Sequence, residues 1–205
     1  SGIVLVGPTD HHRRARLLRY CHQTLELVQR VTTDLPWPHW TGNLAVVIDD
    51  EEQLATAPNS TTSRPALPVI HLGDQPDDQF QAAFAARLSD LILDLRRHPE
   101  HQWPNWFRLG LSGVLQAKAE GLGPSPRRML EHRRAAGAAA IDRAFDQPTA
   151  TIEPGLATAI CTPLCHRSRR QHLGSLFDLL RNGSDGRTAL GIAYELSIED
   201  LLSLR

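Results

Sequence analysis

Apolar residues follow two different spacings along the chain, and each spacing predicts one kind of element. Short apolar runs predict β-strands over 3–6, 44–48 and 68–72. Apolar residues that recur every three or four positions predict amphipathic helices over 11–31 and 77–97. Asp49 and Asp50 are predicted to start a short helix that reaches Leu54, and 55–66 is a polar loop. The first half is therefore expected to contain a small mixed sheet with helices.

The second half of the chain shows only the helical spacing. A helix is predicted from the Trp103–Trp106 segment toward Ala119, and further helices cover 127–145, with a break at 135–140, and the chain from 155 onward. Gly110 and Gly113 lie inside the first of these helices, where close packing would explain the missing side chains. The layout predicts one α+β domain over 1–205, with a sheet-containing half at 1–97 and an all-helical half at 98–205.

Composition and missing motifs argue against several classes of function. Lys and Arg total 22 and Asp and Glu total 23, so the net charge of -1 provides no field to hold a polyanion, and nucleic acid is not expected as a partner. No apolar run reaches the length of a membrane helix, so no membrane span is expected within this chain. The glycine patterns of nucleotide-binding loops and the Gly-x-Ser-x-Gly pattern of hydrolases are both absent from the sequence.

The cysteines leave two interpretations open. Cys21, Cys161 and Cys165 are odd in number and too few for a disulfide framework, so at least one thiol is free or pairs between chains. Cys161, Cys165 and His166 could present two thiolates and an imidazole on one helical face as metal ligands. The alternative is that the thiols are small buried hydrophobic groups, which is the usual environment of a free cysteine.

One segment carries a family resemblance. Pro104, Trp106, Gly110 and Ser112 follow the predicted strand and helix order in a spacing similar to Pro-x-Trp-x-x-Glu-Gly-x-Ala. This layout resembles the gluzincin-type zinc metallopeptidase domains of bacteria, in which the segment follows a helix bearing His-Glu-x-x-His. The resemblance implies a zincin-like fold and, since such relatives are often exported or membrane-attached, favours an extracytoplasmic location in the bacterial envelope or outside the cell.

The metal ligands that this family needs are missing. Leu109 occupies the third-ligand position, and the best alignment of the first motif puts Ala86 and Asp90 at the histidine positions and Arg87 at the general base. The resemblance therefore implies a non-catalytic, pseudo-metallopeptidase domain without a cofactor, which acts as a protein-binding or scaffold module. Its cleft, with Trp106, would still bind an extended peptide by strand addition to the sheet edge. Arg87 and Asp90 would be recognition groups or an ion pair there.

Two alternatives to this interpretation remain. Asp90, Asp94 and His98 occur at four-residue steps along one predicted helix, with His101 close behind, and could form a rebuilt metal site in a metal-dependent hydrolase. The chain could also be a structural domain of a larger envelope or secreted protein, with its cleft filled by its own side chains.

Overall fold

The computed structural model describes residues 2–7, 10–32, 44–49, 68–121, 123 and 125–204. The sheet-containing half consists of β1 (Ile3–Val6), α1 (His11–Val31), β2 (Leu44–Asp49), β3 (Val69–Gly73) and α2 (Asp77–Leu95). The helical half consists of α3 (Asn105–Ala119), α4 (Pro126–Ala136), α5 (Ala138–Asp146), α6 (Pro154–Leu164), a 3-10 turn (Arg170–His172), α7 (Leu173–Arg181), α8 (Gly186–Tyr194) and α9 (Ile198–Ser203). The three predicted strands and the α+β character are confirmed. The predicted short helix beyond Asp49 and the loop at 55–66 lie outside the described residues.

The three strands of the described part of the chain are all parallel, so the prediction of a mixed sheet was wrong. Its strand order is β1-β2-β3, and Leu5 pairs with Val46, which pairs in turn with Ile70. The connection from β1 to β2 contains the whole of α1, which carries the chain back to the starting edge before the next strand begins. A connection of that length permits parallel pairing, whereas a tight hairpin would impose antiparallel pairing.

The helices α1 and α2 cover one face of the sheet. They pack against each other, α1 against β1 and α2 against β3, and they bury the row formed by Leu5, Val46 and Ile70. Asp10 caps the start of α1 by accepting a hydrogen bond from the Arg13 backbone N–H at 2.8 Å. This face is the one that the apolar stripes of both helices require.

The helix α2 ends two residues earlier than its apolar spacing predicts. It stops at Leu95, and Leu95 itself is 48% exposed. Pro99 favours an extended conformation in the residue before it, which opposes continuation of the helix toward that point. His98 consequently lies in the connection between α2 and α3, not on the face of α2 that carries Asp90 and Asp94.

The helical half packs around α3 and α6. The predicted break within 127–145 is confirmed, because Gly137, at φ 77°, separates α4 from α5. Gly110 of α3 lies so close to α6 that a Cβ there would overlap the carbonyl group of Ala157 and Sγ of Cys161. The predicted close packing at this glycine is therefore confirmed, and the buried residues of the helical half join those under the sheet in one continuous core.

Hydrogen bonds from a buried arginine hold α9 in place. Arg133 of α4 is 1% exposed, and its guanidinium donates hydrogen bonds to the backbone carbonyls of Ala159, Leu201 and Leu204. Burial lowers the pKa of Arg133 to about 10, which still leaves the group charged at neutral pH. The charged donor satisfies buried carbonyls in α6 and α9 and a partly buried one just after α9.

Candidate functional site

The positions singled out by the family resemblance lie on two helices that pack against each other, α2 and α3. On α2, Ala86 and Asp90 are half-buried and Arg87 is exposed. On α3, Leu109 is half-buried and Trp106 is 1% exposed. These residues therefore lie on the helices that the apolar spacing predicted, and their environments decide what each can do.

Asp90 has the most perturbed environment of the group. Burial raises the pKa of this carboxyl group, the charges of Arg108 and Arg87 oppose that rise, and Asp94 adds to it. Within the described residues, no side-chain nitrogen of Arg87 comes within ion-pair distance of Asp90. The arginines thus affect Asp90 through space, and the carboxylate retains its capacity for a ligand or for water.

Trp106 belongs to the core. Its ring packs against Phe107 and Phe145, with centroids 5.5 and 4.7 Å away, and its Nε1–H has no hydrogen-bond partner among the described residues. The ring therefore fills the space between α3 and α5 and offers almost no surface to a ligand.

Leu109 lines a shallow groove of about 300 Å³ between α3 and α6, together with Ser112, Gly113 and Thr158. None of the residues lining this groove comes from α2, which carries Ala86, Arg87 and Asp90. The aliphatic side chain of Leu109 has no ligand atom for a metal ion. The groove is thus separate from the α2 positions.

The cysteine group does not form a joint site with its neighbouring histidine. Cys161 and Cys165 are buried free thiols, and burial raises the pKa of Cys165 to about 12 and also raises the pKa of Cys161 well above its ordinary value. His166 is exposed, and its Nδ1 lies 2.9 Å from the hydroxyl of Ser168. Since metals bind thiolates, neutral buried thiols support the interpretation as core residues.

The proposed rebuilt metal site is only partly assembled. His98 and His101 come together, with ring centroids 4.8 Å apart, and the third nearby ligand residue is Glu100. Asp90 and Asp94 are not part of this group. Sequence reasoning missed Glu100 because it extended the four-residue spacing of Asp90 and Asp94 to His98, whereas the turn that contains Pro99 groups His98 with Glu100 and His101.

The outward edge of β1 is a second feature that sequence reasoning did not locate. The backbone N–H of Leu44 donates to the carbonyl of Gly2 at 2.9 Å, so Gly2, Val4 and Val6 direct their backbone groups toward β2. The intervening Ile3 and Leu5 direct theirs away from the sheet. No strand pairs with that side of β1 in the described part of the chain.

The sheet face opposite α1 and α2 carries exposed valine side chains. Val4, Val6 and Val69 are 45, 50 and 43% exposed. The strand register places Val4, Ala45 and Val69 in one row across this face, and Val6, Val47 and His71 in the next. Only the parallel register brings these residues together, and no local pattern in the sequence indicates that register.

Comparison with known proteins assigned no family to this fold. No protein-family model, no curated protein and no solved structure matches the chain. Among the described residues, no helix is both long and apolar enough to cross a membrane. The functional argument therefore rests on the geometry of the chain's own residues.

Proposed function

We propose that this chain is a non-catalytic protein-binding module that takes up an extended peptide segment alongside β1. The observation that carries the proposal is that β1 has no partner strand on its outward side in the described part of the chain, while Val4 and Val6 of the same strand are exposed. An added strand would gain backbone hydrogen bonds from the edge and apolar contact from the face.

The edge supplies a defined set of backbone groups. Ile3 and Leu5 each direct one N–H and one C=O outward, because alternate residues of a parallel strand bond to opposite neighbours. Four groups of this kind match a short extended segment. Charged residues and proline protect many edge strands from pairing with another chain, and β1 contains neither.

The face supplies the preference for apolar side chains. Parallel sheets are normally covered on both faces, yet Val4 and Val6 stand about half exposed at the edge where the new strand would lie. Alternate side chains of the added segment would project onto the same side as these valines. The proposal therefore commits to a partner segment with apolar residues at every second position.

The pseudo-peptidase interpretation supports the non-catalytic part of this proposal. At the positions matched to the gluzincin motifs, Ala86 and Leu109 carry no ligand atoms and Trp106 is buried. The helices bearing those positions pack against each other, as two halves of one motif would require. A zincin-like ancestry remains part of the proposal. In this proposal the chain has lost catalysis but has kept peptide binding at the sheet edge.

Selection from a phage-displayed library of short random peptides tests the proposal. We expect enriched peptides to alternate apolar and polar residues, and the corresponding synthetic peptides to bind the purified chain. Ile3→Pro removes one outward N–H without removing a bond to β2, and we expect about tenfold weaker binding.

The matched control is Val69→Pro, at the opposite edge of the sheet. The pairing of Ala45 with Val69, and the 3.0 Å bond from the Ala45 N–H to the Pro68 carbonyl, direct the Val69 N–H outward as well. This variant should bind the peptide as the unaltered chain does. Equal weakening by both substitutions, with both variants folded by circular dichroism, would contradict the assignment to β1.

A further inference from the structure

The connection between α2 and α3 brings three metal-ligating side chains together. One ligand atom from each of His98, Glu100 and His101 lies within 4.8 Å of the others. In the described part of the chain this is the one group of three such residues found at that spacing. The group lies on elements other than β1, so it is independent of the proposed peptide site.

The surrounding residues hold this connection in place. The indole Nε1–H of Trp103 donates to the carbonyl of Leu93 at 2.8 Å, and its ring packs against Phe177 at 4.5 Å between centroids. Both ends of the histidine turn are therefore fastened to the core. A fixed turn lowers the conformational entropy that a metal ion would otherwise have to remove from its ligands.

The ring of His101 is confined from two sides. His98 faces it at a centroid distance of 4.8 Å, and Gly183, at φ 86° in the turn after α7, lies on it so closely that a Cβ would be 2.8 Å from Cε1. A glycine at this position therefore leaves room for the imidazole. The two rings lie stacked against each other, at an interplanar angle of 27°.

The donor set indicates the class of ion. Two imidazoles and one carboxylate suit a borderline divalent ion such as Zn²⁺, and a three-residue set leaves the fourth position for water. The backbone N–H of Glu100 donates to Nδ1 of His98 at 3.2 Å. Binding must release that hydrogen bond, because a metal ion needs a free imidazole lone pair, and this competition weakens the affinity by about tenfold.

We propose that His98, Glu100 and His101 form a Zn²⁺ site that fastens the connection between α2 and α3. The site differs from the gluzincin motif, whose positions lie on the helices themselves. Asp90 and Asp94 are not among its ligands. The ion would hold a turn that already contacts the turn after α7, so zinc binding should stabilise the fold.

Calorimetric titration of Zn²⁺ into chelator-stripped, tag-free protein tests the proposal. We expect one ion per chain, and His98→Ala should weaken binding at least about tenfold. His101→Phe keeps an aromatic ring against Gly183 but removes both nitrogens, and it should have the same effect. Zinc should raise the melting temperature of the unaltered chain and leave that of either variant unchanged.

The control is the double variant His11→Ala/His12→Ala, which removes two neighbouring exposed imidazoles at the start of α1. It should bind zinc as the unaltered chain does. The proposal is overturned if the unaltered chain binds no zinc at micromolar concentrations, or if folded His98→Ala and His101→Phe variants bind it undiminished. It is also overturned if the His11 and His12 substitutions abolish binding.

Discussion

Replacing Gly110 by alanine tests the packing of the helical half. Glycine inside a helix is normally unfavourable, and alanine would be expected to stabilise α3 by about 1 kcal/mol on propensity alone. At this position, however, a Cβ would lie 3.0 Å from the carbonyl carbon of Ala157 and closer to its oxygen, whereas ordinary contact begins at 3.4 Å. The backbone of α6 would have to move by at least the difference of 0.4 Å.

The two effects oppose each other, and the packing effect should be larger. Overpacking in a filled core costs about 1 to 3 kcal/mol, and the upper part of that range applies because a backbone carbonyl cannot rotate away as a side chain can. Subtracting the propensity gain leaves Gly110→Ala destabilised by about 2 kcal/mol. Gly191 provides the control, since it lies within α8 and a Cβ added to it would meet no heavy atom within 4 Å.

Urea unfolding followed by circular dichroism measures both variants under the same conditions. Gly191→Ala should have a higher unfolding midpoint than the unaltered chain, and Gly110→Ala a lower one. If Gly110→Ala were as stable as Gly191→Ala, the close contact between α3 and α6 would be refuted.

Three further predictions concern stability. Arg133→Met should lower the free energy of unfolding by about 3 kcal/mol, because it leaves buried carbonyls without a charged donor, whereas the exposed Arg134→Met should change it by less than about 0.5 kcal/mol in the same urea assay. Asp90 has a raised pKa in the folded state, so the native chain binds more protons than the unfolded chain, and stability falls as the pH rises through that raised pKa. Asp90→Asn should remove this part of the pH dependence in thermal melts between pH 3 and neutrality. An unchanged profile would contradict the burial of the carboxyl group. Ser197 and Asp200 form a capping box at the start of α9, and Ser197→Ala should lower the free energy of unfolding by about 1 kcal/mol. An unchanged urea midpoint would count against the cap.

Local patterns predicted the elements of this fold well. The bounds of α1 and the break at 135–140 followed from local sequence patterns, and the close packing at Gly110 followed from a glycine inside a predicted helix. These features depend on residues near one another in the chain, which is why single-sequence reasoning reached them.

Features that depend on distant pairing were not predicted. The parallel register that aligns Val4 with Val69 across the sheet results from three separate strands, and no local spacing encodes it. The grouping of His98, Glu100 and His101 depends on the turn after α2, and the four-residue spacing in the sequence joined His98 to Asp90 and Asp94 and did not indicate Glu100. Both candidate binding features of this chain therefore required the structure.

Amide hydrogen exchange at β1 tests the central claim most directly. In the free chain, the N–H groups of Ile3 and Leu5 should exchange fast because they face outward, while those of Val4 and Val6 should be protected by their bonds to β2. Addition of a selected extended peptide should protect Ile3 and Leu5 as well. If a bound peptide left both amides unprotected, the claim that this edge takes up a partner strand would be contradicted.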